Sequence, residues 1–211
     1  KLSIATLSNQ GTGVGFDVTI NILDANDNTA VATQATTITL TKKSGSSATG
    51  TVTGVMTGVV DPGGSSVTIS GVKWSLDATG AVITATPTAG MTGLTPADSN
   101  SFNVATRTPT KLAFTTIASQ GTNLAFDVTV QALDSSDQPA NVTSATNVTL
   151  ARGAGTGTLG GVVTGTIANG TSEITISGVT YNTTENSVTL TATPTTGMTG
   201  LSAATSNAFN V

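Results

Sequence analysis

The feature that most constrains this chain is that it repeats itself. KLSIATLSNQGTGVGFDVTINILD at 1–24 returns as KLAFTTIASQGTNLAFDVTVQALD at 111–134, and TATPTAGMTGL at 84–94 returns as TATPTTGMTGL at 191–201. SVTISGVKW at 66–74 and SNSFNV at 99–104 return as EITISGVTY at 173–181 and SNAFNV at 206–211. The offset is 110 before the loops that follow Leu40 and Leu150 and 107 after them, so the second copy is three residues shorter there. Aligning 1–40 with 111–150 and 50–104 with 157–211 gives 48 identities in 95 positions. A period this long exceeds the roughly 20–50 residues of a solenoid repeat, so each copy is expected to bury a core of its own. The expected organisation is one module over 1–104, a joint of six residues (ATRTPT, 105–110), and a second module over 111–211. In that joint Pro109 fixes its own φ and pushes Thr108 towards extended conformations, which predicts a semi-stiff connection. A chain that starts on a first strand and stops on a last one reads as a piece cut from something longer at repeat boundaries.

Within each copy the hydrophobic period is two. Phe16, Val18, Ile20 and Ile22 alternate with Asp17, Thr19 and Asn21, and Phe126, Val128 and Val130 alternate with Asp127, Thr129 and Gln131. Threonine fills 46 of the 211 positions; its branched Cβ favours extended backbone while its hydroxyl tolerates water, so it suits the outward half of such strands. DANDN at 24–28, DPGG at 61–64, DATG at 77–80 and ANG at 168–170 punctuate the runs as turns. The pattern predicts seven strands in the first module, near 2–7, 15–23, 36–42, 51–57, 66–72, 81–87 and 99–104, with no helix. Seven short strands at regular spacing in about 100 residues make an antiparallel β-sandwich with Greek-key connections. The fold class expected is therefore all-β, two such sandwiches in tandem. Phe16, Phe102, Phe126 and Phe209 are the expected core anchors, with Trp74 and Tyr181 at matching positions on the sandwich edge.

Composition removes most chemistry. There is no cysteine and no histidine, hence no disulfide framework, no Cys/His zinc site, no thiol nucleophile and no imidazole base. Seven basic against eleven acidic residues give a net charge of −4, without the basic stripe of a nucleic-acid binder. No apolar run reaches the ~18 residues of a membrane-spanning helix, so membrane insertion is not expected, and no enzyme activity is.

KLAFTT, FDVTVQALD with its polar turn, VTL, GTLGG, ITISGV, SVTLTATP and the closing SNAFNV together resemble the bacterial immunoglobulin-like tandem repeats of large secreted surface proteins and adhesins. The likeness spans both modules. It implies an extracellular, cell-surface setting, a non-catalytic role as stalk, spacer or filament building block, and neighbouring repeats as partners, with lateral or homotypic association in a filament. The Cys…Trp…Cys framework of antibody domains is missing, which sets the chain apart from antibody-type members. A ligand-binding sandwich attached to a larger secreted protein, taking carbohydrate or calcium, is the alternative.

Asp24, Asn26, Asp27 and Asn28 place several hard oxygens in one loop, the donor set calcium takes; Asp134 and Asp137 are what the second copy retains. The same residues are also ordinary turn formers. No cofactor other than calcium is implied. Lys1 with Asn103 and Asp17, and Lys111 with Asn210 and Asp127, are the components of a Lys–Asn isopeptide cross-link, although alternation puts them on the solvent side, whereas that chemistry needs a buried lysine. Asp24 and Asp27 as paired catalytic carboxylates lack a flanking cleft. Sequons at Asn141, Asn147, Asn169 and Asn182 occur in the second copy alone and read as a by-product of abundant Asn and Thr. Thr84, Thr86 and Thr88, or Thr189, Thr191 and Thr193, form ladders that read as solvated strand faces, and Trp74 and Tyr181 would be the sugar-stacking residues of a carbohydrate binder.

Overall fold

A computed structural model describes residues 1–211. It holds nineteen strands, and no helix is long and apolar enough to cross a membrane. The chain divides into two compact units, Lys1–Thr106 and Arg107–Val211.

The first unit contains Leu2–Ile4 (β1), Gln10–Gly11 (β2), Phe16–Ile22 (β3), Thr36–Lys42 (β4), Val52–Gly54 (β5), Thr57–Val60 (β6), Ser66–Trp74 (β7), Ala78–Ala81 (β8), Ile83–Ala89 (β9), Ala97–Asp98 (β10) and Phe102–Ala105 (β11). They form a sheet of order β1-β3-β7-β5, a second of order β10-β9-β4-β6, and a three-stranded sheet β2-β11-β8. The second unit contains Lys111–Phe114 (β12), Phe126–Leu133 (β13), Thr146–Arg152 (β14), Leu159–Gly161 (β15), Thr164–Ile167 (β16), Glu173–Tyr181 (β17), Leu190–Thr196 (β18) and Ala204–Thr205 (β19). Its two sheets run β12-β13-β17-β15 and β16-β14-β18-β19. Each unit is thus a β-sandwich, and the pairing is antiparallel except where β2 runs parallel to β11 and where Lys111 bridges Ser202.

The cores follow from the alternation. Val18, Ile20 and Ile22 of one sheet meet Ile38, Leu40, Ile83 and Ala85 of the other in one buried cluster; Val128, Val130, Val148, Leu150 and Leu190 do the same in the second unit. Each fully buried Val, Ile or Leu contributes about 1.5–3 kcal/mol of transfer free energy. Phe16, Phe102, Phe126 and Phe209 are buried as expected, Phe16 against Phe102 and Phe126 against Phe209 edge-to-face at 6.1 Å between ring centroids. On the outside, Thr19 pairs with Thr68, Thr39 with Thr88 and Thr129 with Thr175 through hydroxyl hydrogen bonds of 2.8–3.0 Å, so part of the threonine content knits strands across the solvent face.

Three expectations need correction. The run at 51–57 is two strands: β5 pairs with β7 and β6 with β4, so the chain changes sheet between Gly54 and Thr57. Gly54 makes that crossing at φ +76°, where a Cβ would lie 2.4 Å from the Gly71 carbonyl oxygen. The strand at 81–87 also divides, Ala81 ending β8 on β11 and Ile83 beginning β9 on β4. Trp74 and Tyr181 do not lean on an edge; both are fully buried. A register shift between Phe16 and Val18, repeated between Phe126 and Val128, inserts an extra residue in the partner strand. Before it Val67 and Ile69 face inward; after it the inward positions are Val72 and Trp74. The bulge changes the parity of the strand and turns the ring into the core.

Candidate functional site

Asp24 and Asp134 close equivalent loops just beyond β3 and β13. Asp24 Oδ1 accepts the backbone N–H of Asn26 (2.8 Å) and of Asn28 (2.9 Å), while Asn28 Nδ2 donates to Oδ2 at 3.3 Å. Asp134 Oδ1 accepts the N–H groups of Ser136 (2.8 Å) and Gln138 (2.9 Å). Both central bonds use backbone donors, which is why the loop keeps its shape although the second copy has Ser136 and Gln138 in place of the asparagines. Asp27 and Asp137 sit at positive φ, 66° and 60°, their carboxylates on Lys1 Nζ at 2.6 Å and Lys111 Nζ at 2.8 Å. The Asn28 backbone N–H, with the other local donors, holds the Asp24 carboxyl below the usual range; the Gln138 N–H does this for Asp134, helped by Arg107. Asp24, Asn26, Asp27 and Asn28 do share one loop, as do Asp134 and Asp137, each loop with two carboxylates and one lysine. No group of three or more His, Cys, Asp or Glu is gathered anywhere as a metal site.

The cross-linking components have separate partners. Lys1 Nζ is on Asp27, whereas Asn103 Oδ1 accepts the Gly80 N–H at 3.2 Å and Asn210 Oδ1 that of Ser187 at 3.3 Å. Asp17 and Asp127 are exposed. Trp74 and Tyr181 cannot stack on a sugar, because no ring surface reaches solvent. Of the threonine ladders, Thr84 donates to Asp98 at 2.6 Å and Thr189 accepts the Ala154 N–H at 2.7 Å.

In each unit the structure also surrounds one carboxylate with donors that the residue pattern did not single out. In the first unit Asp77 accepts the hydroxyls of Thr12 and Thr106, which keep its carboxyl below the ordinary range. In the second unit the work passes to Glu185, one position further along the alignment. It accepts the Tyr181 hydroxyl, the N–H of Thr156 at 2.9 Å and the N–H of Gly157 at 3.1 Å. The Tyr181 hydroxyl and these amides hold its carboxyl down to about 2 against an ordinary 4.5, while burial and the facing carboxylate raise the Tyr181 phenol. A lowered carboxylate pKa stabilises the fold above the unfolded value and loses that contribution as the pH falls. The second unit is therefore expected to lose stability as the pH drops from about 4.5 towards about 2. Melting temperature against pH for the native chain and for Glu185→Gln checks this: the curves should converge in acid and separate above it, and parallel curves would exclude Glu185 as the titrating group.

A groove of about 520 Å³ lies beside the Asp24 loop, lined by Leu23, Asp24, Ala30, Leu94 and Thr95 among others. In the second unit the equivalent place is covered by that unit's own Arg107–Thr110. Arg107 lies with Nε 3.8 Å from Asp134 Oδ2 and donates from Nη1 to the Pro139 carbonyl at 3.4 Å. Pro109 is buried, and Ser202 N–H donates to the Thr110 carbonyl at 3.0 Å. Of the joint ATRTPT, Thr106 is thus bound to the first unit and Arg107–Thr110 to the second. The signal available in the sequence was an arginine, one of seven basic residues in the chain, set two residues ahead of a proline.

No family model and no curated protein matches the chain. Among solved structures, the calcium-binding domain CBD12 of CALX1.1 is 13% identical, with 92% of this chain and 80% of that one covered at a TM-score of 0.33. The Yersinia pseudotuberculosis adhesin InvE is 22% identical, with coverage of 98% and 58% at 0.30. Domains 4–9 of the surface layer protein SbsC are 15% identical, with coverage of 94% and 30% at 0.43. The chain thus spans little more than half of InvE and under a third of the SbsC fragment. At these scores the fold rests on the strand pairing described above.

Proposed function

We propose that this chain is a non-catalytic structural repeat pair of an extracellular surface protein, acting as stalk, spacer or filament building block. The observation that carries the reading is the duplication: two copies, identical at 48 of 95 aligned positions, each closed around its own core. Duplicating a whole sandwich adds folded length without needing a new site, and low charge with threonine-rich faces suits packing beside like surfaces. Extension under force tests it. The expected trace has two unfolding steps, each releasing about 310 Å, the contour of ~100 residues at roughly 3.5 Å per residue less a folded span of roughly 40 Å, unchanged by chelator. A featureless extension or a single step would overturn the reading. A force that rises with added calcium would instead support the ligand-binding alternative, with the Asp24 and Asp134 loops as the first place to look.

A further inference from the structure

The two units supply an internal comparison, the same groove open in one and filled in the other. Leu23, Asp24, Ala30 and Leu94 are more exposed than their counterparts Leu133, Asp134, Ala140 and Leu201; Leu133, Ala140 and Leu201 are buried, while Leu23, Ala30 and Leu94 are only partly so. The segment Arg107–Thr110 accounts for the difference. Its proline is buried, its arginine faces the Asp134 carboxylate, and its Thr110 carbonyl receives the Ser202 N–H. The first unit repeats three of the receiving elements: Asp24 for Asp134, Leu94 for Leu201, and Thr95 for Ser202, whose carbonyl already accepts the Leu2 N–H at 3.0 Å as Ser202 accepts that of Leu112 at 2.9 Å. Thr95 N–H has no backbone acceptor corresponding to Thr110.

We propose that the groove of the first unit is a docking slot for an extended segment of the Arg-Thr-Pro-Thr type joined in cis ahead of Lys1, with the arginine on Asp24, the proline over Leu23 and Leu94, and a carbonyl on the Thr95 N–H. Proline holds such a segment extended before it docks, which limits the ordering entropy, and the guanidinium meets the Oδ2 of a carboxylate whose Oδ1 is committed to the turn, displacing only the 3.3 Å contact from Asn28 Nδ2. The slot does not depend on the stalk reading: a force trace without two steps would leave it standing.

The test is amide hydrogen exchange on the full chain with Ala-Thr-Arg-Thr-Pro-Thr added ahead of Lys1, against a control carrying Ala-Thr-Ala-Thr-Gly-Thr. Both remove the charged terminus from Lys1, so that change cancels. The native-type extension should slow exchange at Thr95 by about tenfold or more, equal to ~1.4 kcal/mol, with the control near the unextended chain. Asp24→Ala in the extended chain should reverse much of the slowing. No slowing with either extension would overturn the slot, and equal slowing with both would overturn the Arg-x-Pro chemistry. Protection by the free hexapeptide at micromolar concentration would overturn the requirement for a junction in cis, since linkage supplies an effective concentration in the millimolar range.

Discussion

Replacing Trp74 with alanine is expected to destabilise the first unit by about 3–5 kcal/mol, the range for deleting a large buried aromatic. The ring has no exposed surface, sits edge-on to Phe102 at 5.9 Å between centroids, and donates from Nε1 to the Thr49 carbonyl at 2.8 Å. Truncation opens a cavity, removes the aromatic contact and leaves the Thr49 carbonyl without its donor. Set against the 5–15 kcal/mol typical of a whole domain, that loss brings the unit close to unfolding at physiological temperature. Hydrogen exchange over residues 1–106 measures it, and Trp74→Phe should recover more than half of the loss by refilling volume without restoring the hydrogen bond. A destabilisation below about 1 kcal/mol, the level of a surface substitution, would show that the ring is not in the core.

The second large effect is expected at Gly197, between β18 and the loop that carries Leu201 and Ser202. Its φ is +102°, and a Cβ there would lie 2.1 Å from the Ala145 carbonyl oxygen and 2.7 Å from Thr146 Cα. The chain passes this close because Met198 N–H donates to the buried Thr146 hydroxyl at 3.0 Å, which itself donates to the Ser144 carbonyl at 2.9 Å. Alanine at 197 must strain the backbone and push the loop off that hydroxyl, roughly 3 kcal/mol or more in sum. Gly200 provides the control: it has φ +85° but nothing within 4 Å of an added Cβ, so Gly200→Ala carries the backbone strain alone, about 1–2 kcal/mol. Denaturant melts of the two variants separate the contributions, and equal losses would exclude close approach as the reason for glycine at 197. Gly90 is the equivalent in the first unit, 2.1 Å from the Ala35 oxygen on the same measure.

Much of the fold was legible because its causes are local. Alternation along Phe16–Ile22 and from Phe126 to Ala132 assigns faces over a few residues, and the burial follows it. The four phenylalanines could be assigned to the core for the same reason. The candidate loops were legible as loops, since Asp24 and Asp134 bond to donors two and four residues on. Trp74 was misplaced because a single-residue slip reverses every face beyond it, and the slip is a property of the β3–β7 pair, with Phe16 opposite Val72 and Val18 opposite Ile69. Of the donors to Glu185 only Tyr181 is near in sequence; Thr156 and Gly157 lie 29 and 28 residues away.

By itself the sequence determined that this protein is a duplicated, helix-free chain of alternating strands without thiol or imidazole chemistry, because repeat, period and composition need no partner to be read. Tertiary structure alone decided which sheet β5 and β6 join, that Trp74 and Tyr181 are interior, and that Arg107–Thr110 belongs to the second unit and covers a groove that stands open in the first. Those are outcomes of pairing between residues far apart in the chain, where one inserted residue or one distant carboxylate redirects a side chain that its neighbours would have sent elsewhere.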